Sequence, residues 1–367
     1  MEYRINKNNG DKISLIGMGS GAVCIHGKTE GAELLRTAYE NGINYFDMAT
    51  SVAEVFEVFG EALSDVRKQI KYQIHFGAVY DTGEYGWSLN TDQIKKSVDW
   101  QLETMKTDYI DYGFIHCLDE LHDWEEYQRN GVLELILDYK RQGIVKNVGA
   151  SSHTPSIAEK IMDTVPISML MFSINPAYDY HKGSFANGSV DERNRLYKRC
   201  EKEKIGISVM KPYAGGQLLD ERQSVFRMAL TPIQCLQYAL DKPGVITVLP
   251  GAGSTEELKD VLGLLSATKQ EKDYSSISAV TPEDAMGKCV YCNHCAPCPA
   301  GINIGLVNKY YDLMMTGDMM AVSHYKNLEK HATDCISCKH CDKRCPFQVN
   351  QCERMKEIAS QFESLNL

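Results

Sequence analysis

Residues 109–151 read YIDYGFIHCLDELHDWEEYQRNGVLELILDYKRQGIVKNVGAS, and this stretch contains the unit that decides the fold. Two short apolar runs, at 109–116 and 145–151, flank a segment with helical spacing at 130–143 that ends in glycine. Short apolar runs that alternate with longer amphipathic segments are typical of strand–helix–strand units with parallel strands. The stretch therefore predicts a βαβ unit.

The same alternation extends outward, from residue 13 to about residue 265. Eight parallel strands separated by helices over about 250 residues predict an α/β fold of the TIM (β/α)8 barrel type. An open doubly wound sheet is the alternative, but its glycine-rich phosphate loop should follow the first strand, where GMGSGAV is a poor match. The strand candidates lie at 13–19, 43–49, 72–78, 109–116, 145–151, 167–173, 205–211 and 245–251.

Composition and charge narrow the classes of partner. The chain has 367 residues, of which 43% are hydrophobic and 24% charged, and its net charge is -10. With no long basic run, this charge argues against nucleic acid or an anionic membrane as the main partner and leaves small molecules and proteins open. The beginning of the sequence has no apolar stretch behind its charges, and no apolar run reaches about 18 residues. We expect a cytoplasmic protein.

Eight of the thirteen cysteines fall into two short clusters. The first has the spacing C-x2-C-x2-C-x2-C-P and the second C-x2-C-x2-C-x3-C-P, which is the bacterial ferredoxin spacing. Tight C-x2-C repeats point to metal ligation rather than to disulfides. Paired C-x2-C units also form zinc sites, but zinc does not account for a third in-phase cysteine followed by Cys-Pro in both clusters. The motifs therefore predict two [4Fe-4S] clusters.

The ligands can be assigned to individual clusters. In two-cluster ferredoxins the cysteine before proline ligates the other cluster. We expect residues 1–275 to form the barrel and residues 276–367 a small ferredoxin-like α-helical iron–sulfur domain, after a polar linker at about 270–285. The predicted ligands are Cys289, Cys292, Cys295 and Cys345 for cluster one, and Cys335, Cys338, Cys341 and Cys298 for cluster two.

Several segments resemble the aldo-keto reductase superfamily. They are YFDMA at 45–49, YIDYGFIH at 109–116, KNVGASSH at 146–153, VMKPYAGG at 209–216 and residues 231–258. With its cysteine-rich tail, the chain resembles the bacterial branch of this superfamily that is fused to a ferredoxin domain. The resemblance implies a TIM barrel that binds NAD(P)H and reduces carbonyl groups by hydride transfer.

The resemblance also implies a catalytic Asp, Tyr, Lys and His, in which the Tyr donates a proton to the substrate oxygen. Asp47 and His116 match the Asp and the His. The place of the Tyr is Val52, and the place of the Lys is Phe76 or Gly77, none of which can donate a proton. Three outcomes stay open: another donor such as Tyr80, His75 or His116, a substrate that needs no proton from Tyr, or a barrel without hydride chemistry.

Cofactor residues carried over from the resemblance lie in four segments. Ser151 and Ser152 would hold the nicotinamide carboxamide, with Asn175 as a further contact, and Lys211 would border the pyrophosphate. The adenosine phosphate pocket would be bordered by Gly251, Ala252, Gly253 and Ser254. Glu257 stands where members that prefer NADPH place a basic residue, and a carboxylate there would repel a 2′-phosphate. Of NAD(H) and NADP(H), we therefore expect NADH.

Three functions remain after this reading. The leading hypothesis is an oxidoreductase whose barrel binds NAD(H) and a small organic substrate while two [4Fe-4S] clusters carry electrons. The alternative is an electron-transfer module whose degenerate barrel is a binding scaffold for a partner enzyme. The third is non-redox chemistry on a sugar or acid, with Asp47 and His116 as acid and base.

Overall fold

The computed structural model describes residues 1–179, 186–279, 287–291, 293, 295–345 and 347–364. Its chain forms two compact units. The first consists of Met1–Asn175, Glu192–Pro212 and Pro232–Asp273. The second consists of Pro176–Asp191, Tyr213–Thr231 and Tyr274–Leu367. The domain boundary after residue 275 stays a prediction, because the second unit also includes two segments from within residues 1–275.

All strands found within the described residues lie in the first unit. They are β1 (Tyr3–Ile5), β2 (Lys12–Ser14), β3 (Met18–Gly19), β4 (Tyr45–Asp47), β5 (Lys71–Phe76), β6 (Ala78–Val79), β7 (Gly86–Trp87), β8 (Ile110–Ile115), β9 (Val145–Ser152), β10 (Met169–Ser173), β11 (Gly206–Met210) and β12 (Val245–Val248). The predicted first strand at 13–19 is divided: β2 pairs antiparallel with β1, and only β3 joins the large sheet.

Eight strands form one parallel sheet in the order β12-β11-β10-β9-β8-β5-β4-β3. The two ends of this order meet, since Ile16 and Gly19 form parallel bridges to Val248 and Gly251. The Gly17 amide adds a hydrogen bond to the Val248 carbonyl at 2.9 Å. The sheet is therefore a nearly closed (β/α)8 barrel, which confirms the predicted fold class.

Helices alternate with the barrel strands. They are α1 (Lys28–Glu40), α2 (Glu54–Leu63), α3 (Thr91–Thr104), α4 (Leu121–Arg129), α5 (Val132–Arg141), α6 (Pro155–Thr164), α7 (Val190–Glu203), α8 (Pro232–Leu240) and α9 (Thr255–Leu262). Their starts follow local rules: the Asn90 side chain accepts the amide of Gln93 at the start of α3, and Ser254 accepts that of Glu257 at the start of α9.

Side chains fill the barrel interior rather than leaving a pore. Tyr45 and Tyr112 pack edge to face with ring centroids 5.6 Å apart, and Gln73 accepts the Tyr45 hydroxyl at 2.6 Å. At the amino end of β8, Arg67 and Asp111 form a buried ion pair at 2.7 Å. The amino end of a TIM barrel supports stability, whereas its carboxyl end carries the chemistry.

The second unit is helical, with α10 (Ile304–Met315), α11 (Met320–Lys326), α12 (His340–Arg344) and α13 (Gln351–Ser364). Gly317, with a φ of +93°, lies between α10 and α11. The hydrophobic core of the second unit contains Val307, Met355 and Ile358. Within the described residues, no helix combines the length and apolarity that crossing a bilayer requires.

Candidate functional site

The Asp47 carboxylate is the first polar group at the carboxyl ends of the barrel strands. Asp47 ends β4 and is buried. Its Oδ1 accepts a hydrogen bond from Gln73 Nε2 at 2.8 Å and lies 2.6 Å from His75 Nε2. Gln73 and His75 are two residues apart on β5, so their side chains point to the same face of the strand. Asp47 therefore meets a histidine where the family resemblance predicted a lysine.

Side-chain alternation along β5 explains why neither place predicted for the lysine carries the polar group. Phe76 packs edge-on against Tyr139 of α5, with ring centroids 5.7 Å apart, and so points to the helical layer. Gly77 has a φ of +144°, and a Cβ atom there would lie 2.8 Å from the Cβ of His116. Glycine thus allows the backbone to approach His116, and His75 is the side chain that faces Asp47.

His116 connects this pair to a tyrosine. It follows β8 and is buried, and its Nε2 lies 2.6 Å from the hydroxyl oxygen of Tyr85. Its ring stands edge-on to that of His75, with centroids 4.8 Å apart. Asp47, His75, His116 and Tyr85 therefore form a continuous group of polar side chains, which we call the mouth cluster.

Tyr85 reaches the mouth cluster through a hairpin between β6 and β7, which pair antiparallel. Val52, which stands at the place of the missing tyrosine, bridges Glu84, and the Tyr85 amide donates to the Ser51 carbonyl at 2.9 Å. This backbone pairing places Tyr85, from the loop between β6 and β7, beside Val52. Sequence reasoning missed Tyr85; the signal was the turn sequence DTG at 81–83, which is typical of a hairpin.

Tyr80, named as a candidate donor, has a different role. It is buried, its hydroxyl donates to the Thr50 carbonyl at 3.3 Å, and it accepts the Thr50 amide at 3.3 Å. Burial raises the pKa of Tyr80 well above its usual range. The hydroxyl therefore ties the loop after β4 to the hairpin.

The two serines predicted for the carboxamide differ in their surroundings. Ser151 Oγ accepts the Cys117 amide at 2.7 Å, and it shares a strand face with Gly149, which lies against Phe114 of the barrel interior. Ser152 lies on the opposite face of the strand, where its hydroxyl is 3.2 Å from Asp119 Oδ1. Both are buried, and only Ser151 shares the interior face. Their binding of nicotinamide stays a prediction.

Asn175 and Lys211 join two neighbouring loops. Asn175 is buried, and its Nδ2 donates to the Lys211 carbonyl at 3.0 Å. Lys211 has a φ of +53° directly after β11. A non-glycine residue in this conformation persists only where the surroundings enforce it, and such residues concentrate at functional sites. The structure brings these two predicted cofactor residues together.

The predicted phosphate segment, residues 251–257, caps helix α9. Ser254 Oγ accepts the Glu257 amide at 3.2 Å, and Glu257 Oε2 accepts the Gly253 amide at 2.7 Å. Gly253 cannot carry a side chain without conflict, since a Cβ atom would lie 2.7 Å from Ile25. Ala252 is buried, whereas Gly251 is exposed. A carboxylate thus already occupies this helix start.

Ser20 is a buried hydroxyl at the barrel mouth that the sequence reasoning missed. It directly follows β3, and its amide donates to the Asp47 carbonyl at 3.0 Å. Its Oγ has no hydrogen-bond partner among the described residues. Buried polar groups in folded proteins are normally satisfied, so this hydroxyl fits a bound ligand.

The two cysteine loops of the second unit share one backbone conformation. The residues before and after the second cysteine of each motif have φ near +55°: 59° at Tyr291 and 57° at Asn293 in the first loop, and 54° at Ser337 and 56° at Lys339 in the second. Strain repeated at matched positions fits a loop shaped around a cluster.

The positions of the thiols also fit cluster ligation. Cys298 and Cys335, both predicted for cluster two, pack against the same hydrophobic core although they belong to different motifs. The Val349 amide donates to Cys345 Sγ at 3.4 Å. Cys292 and Pro346 of the motifs lie outside the described residues. The individual ligand assignments stay predictions.

Together, a (β/α)8 barrel with acid–base groups at its mouth and a helical unit with two matched cysteine loops define a TIM-barrel protein joined to an iron–sulfur module. Residues 16–231, more than half of the chain, match the "Aldo/keto reductase family" model. The chain belongs to this family. Residues 285–350 match the "4Fe-4S dicluster domain" model, which favours iron–sulfur over zinc.

Relatives and solved structures agree with this placement. The chain is 26% identical to "Uncharacterized oxidoreductase YqkF" of Bacillus subtilis (strain 168), over 74% of this chain and 94% of that protein. It is 22% identical to "L-galactose dehydrogenase" of Arabidopsis thaliana, over 78% of this chain and 90% of that protein. The structure of "aldo-keto reductase AKR11C1 from Bacillus halodurans (holo form)" aligns with a TM-score of 0.61 at 21% identity, covering 77% of this chain and 96% of that one. This last likeness supports the fold.

Proposed function

We propose that the barrel catalyses hydride transfer between NAD(H) and a small carbonyl or alcohol substrate, with Tyr85 as the proton donor to the substrate oxygen. The observation that carries the proposal is the 2.6 Å contact between the Tyr85 hydroxyl and His116 Nε2. General acid catalysis requires a proton donor that is held in place at the reacting oxygen.

In this mechanism the Nε2–H group of His116 donates a hydrogen bond to the oxygen of Tyr85 and keeps its proton. The hydroxyl proton of Tyr85 is then directed to the substrate oxygen, and the phenolate that forms keeps the hydrogen bond from His116. The hydrogen bond favours the charged phenolate, which is the effect that a neighbouring lysine has in the family. In this proposal the hydroxyl of Tyr85 replaces the one that a tyrosine at position 52 would supply.

Asp47 and His75 position this donor. Asp47 holds His75 at 2.6 Å, and the His75 ring packs edge-on to His116. Because Asp47 also accepts Gln73, its carboxylate has a fixed orientation. In this proposal the mouth cluster substitutes for the family's four catalytic residues: His75 takes the place of the lysine beside Asp47, and His116 supplies the hydrogen bond to the tyrosine.

Cofactor binding is assigned to the residues that border the barrel mouth. When bound, a reduced nicotinamide supplies the hydride. Ser151, Asn175 and Lys211 would hold its nicotinamide and pyrophosphate ends. The Glu257 carboxylate at the start of α9 disfavours a 2′-phosphate, so we propose NADH over NADPH. Ser20 adds an unsatisfied hydroxyl for the same ligand.

The iron–sulfur module is proposed to exchange electrons with a protein partner. When bound, two [4Fe-4S] clusters carry one electron each. Their ligands are the eight cysteines predicted above, and the matched loop conformations support this assignment.

Turnover of a panel of small aldehydes and ketones with NADH, measured without oxygen, tests the barrel function. In Tyr85→Phe we expect kcat/KM to fall about 10²- to 10⁴-fold, because the acid is removed while the ring remains. The matched control is Tyr80→Phe, which removes a structural hydroxyl of the same hairpin and should change kcat/KM far less. Full activity in Tyr85→Phe would refute the proposed donor.

The scaffold alternative is favoured by one observation, namely that the Gly253 and Glu257 amides at the start of α9 are already satisfied within the protein. An NADH titration separates the two functions. Saturable binding supports the enzyme. Absence of binding, with electron exchange only through a partner protein, supports the scaffold.

A further inference from the structure

The carboxyl ends of β8 and β9 carry three further side chains that the mouth cluster does not include. Cys117 and Asp119 lie in the loop after β8, and His153 directly follows β9. All three are buried, with exposed fractions of 8%, 7% and 5%. Polar and ionisable groups are costly to bury alone, and buried charges are normally paired or bind metal ions. The three side chains therefore require a specific arrangement.

Their ligand atoms converge on one point. Cys117 Sγ lies 3.7 Å from His153 Nδ1, which lies 2.8 Å from Asp119 Oδ2. The three atoms are all within 4.8 Å of one another. In a tetrahedral zinc site neighbouring ligand atoms are about 3.3–3.6 Å apart, because Zn–S is about 2.3 Å and Zn–N and Zn–O are about 2.0–2.1 Å. Side-chain shifts of about 1 Å would thus enclose such an ion.

The same contacts argue against a catalytic triad. In a triad the histidine uses one ring nitrogen for the nucleophile and the other for the carboxylate. Here Cys117 and Asp119 both lie at Nδ1 of His153. This arrangement does not pass a proton through the ring from thiol to carboxylate, but it does place the sulfur, the nitrogen and the oxygen around one point.

Hydrogen bonds hold the carboxylate and the backbone of the cysteine in place. Asp119 Oδ1 accepts the His153 amide at 2.5 Å and the Ser152 hydroxyl at 3.2 Å, so Oδ2 is the oxygen that faces the imidazole. The Cys117 amide donates to Ser151 Oγ at 2.7 Å, and Cys117 has a φ of +43°. Metal-binding carboxylates are normally hydrogen-bonded in this way, and strained backbone concentrates at ligand sites.

We propose that Cys117, Asp119 and His153 bind a zinc ion whose fourth coordination position is taken by water. Sulfur, nitrogen and oxygen donors together suit zinc, and three protein ligands leave one tetrahedral position open. On binding, the thiol proton is released to solvent, and the ion replaces the hydrogen bond between His153 Nδ1 and Asp119 Oδ2 while the neutral imidazole keeps a proton on Nε2.

The ion would join two strand ends at the barrel mouth. Because Cys117 directly follows His116, zinc would tie the end of β8, which carries part of the mouth cluster, to the end of β9. The site does not depend on the proposed hydride transfer, so either can fail without the other.

Uptake of Zn²⁺ by the full-length protein, purified without oxygen so that its iron is retained, tests the site. Zinc and iron per chain are measured after dialysis against Zn²⁺ buffered by a chelator, and we expect one zinc ion per chain. In Cys117→Ser the zinc affinity should fall at least about 100-fold, since even partners behind the ligands are worth about 10- to 100-fold. Cys24→Ser is the matched control, because Cys24 is a half-buried cysteine outside both motifs, and it should keep the wild-type affinity.

X-ray absorption at the zinc edge separates this site from the cysteine motifs. We expect one sulfur ligand, with nitrogen and oxygen as the others. A second variant, Asp119→Asn, keeps the size of the side chain and an oxygen for the His153 amide, and should also lower the zinc affinity at least about tenfold. Thermal unfolding without zinc shows whether each variant is folded, and the wild-type ligand shell decides where one is not. No zinc uptake by the wild-type protein, unchanged affinity in either folded variant, or zinc held by sulfur alone would overturn the site.

Discussion

In the cysteine loops, the predicted ligands of each motif lie within one short segment, whereas the mouth cluster collects its side chains from four separate segments between residues 47 and 116. The loops depend on local backbone conformation, as the matched φ values of Tyr291 and Ser337 show. The mouth cluster depends on which strands are adjacent in the barrel and on the hairpin between β6 and β7. A locally encoded site keeps its spacing in the sequence, but a site built across strands can move a functional group from one loop to the next.

The largest effect is expected when one side chain of the mouth cluster is replaced, because each of its members depends on the others. We expect His75→Leu to lower kcat/KM about 100-fold, because His116 loses its support, and to destabilise the barrel by about 3 kcal/mol, because Asp47 loses a buried partner. His75→Lys places a hydrogen-bond donor beside Asp47 again and should recover most of both losses. Steady-state kinetics and thermal unfolding measure the two effects. Equal behaviour of the two variants would contradict the assigned role of His75.

A smaller effect is expected in the second cysteine loop, where only the backbone conformation matters. Lys339 is exposed and has a φ of +56°, so Lys339→Val should cost about 1–3 kcal/mol and lower the iron content of cluster two. Lys339→Gly accepts this conformation and should keep full iron content. Iron assays on both proteins decide the point. Unchanged iron in Lys339→Val would show that the loop does not depend on local conformation.

The smallest expected effect lies near the barrel mouth, in α4. Burial and the neighbouring Glu120 and Asp119 raise the pKa of Asp123 to about 7. In the unfolded chain this carboxyl titrates near 3.8, so the folded state is favoured while Asp123 is protonated and loses that advantage as the pH rises towards 7.

Asp123→Asn should therefore raise the thermal midpoint at pH 8 and leave it unchanged at pH 4. Unfolding scans at both pH values measure this difference. A stabilisation that is the same at pH 4 would assign the effect to packing rather than to charge.

Sequence reasoning predicted the barrel because each strand run has its own apolar signature, and each of the eight predicted runs overlaps an observed barrel strand. The prediction of the first strand at 13–19 was wrong for its first half, since residues 12–14 pair with β1 rather than with the barrel. At the mouth, Asp47 and His116 were predicted from the resemblance to the aldo-keto reductases. Tyr85 was not, because its place beside Val52 arises from pairing between two loops.

The amino-acid sequence by itself determined the barrel, the cysteine motifs and the absence of the expected tyrosine and lysine, since periodicity and spacing are properties of neighbouring residues. Only the tertiary structure decided which side chains replace them. Asp47 and His75 meet because β4 and β5 are adjacent, and Tyr85 meets His116 because a hairpin folds back over the strand ends. Contacts between residues far apart in the chain depend on how strands and loops pair, which no local pattern records.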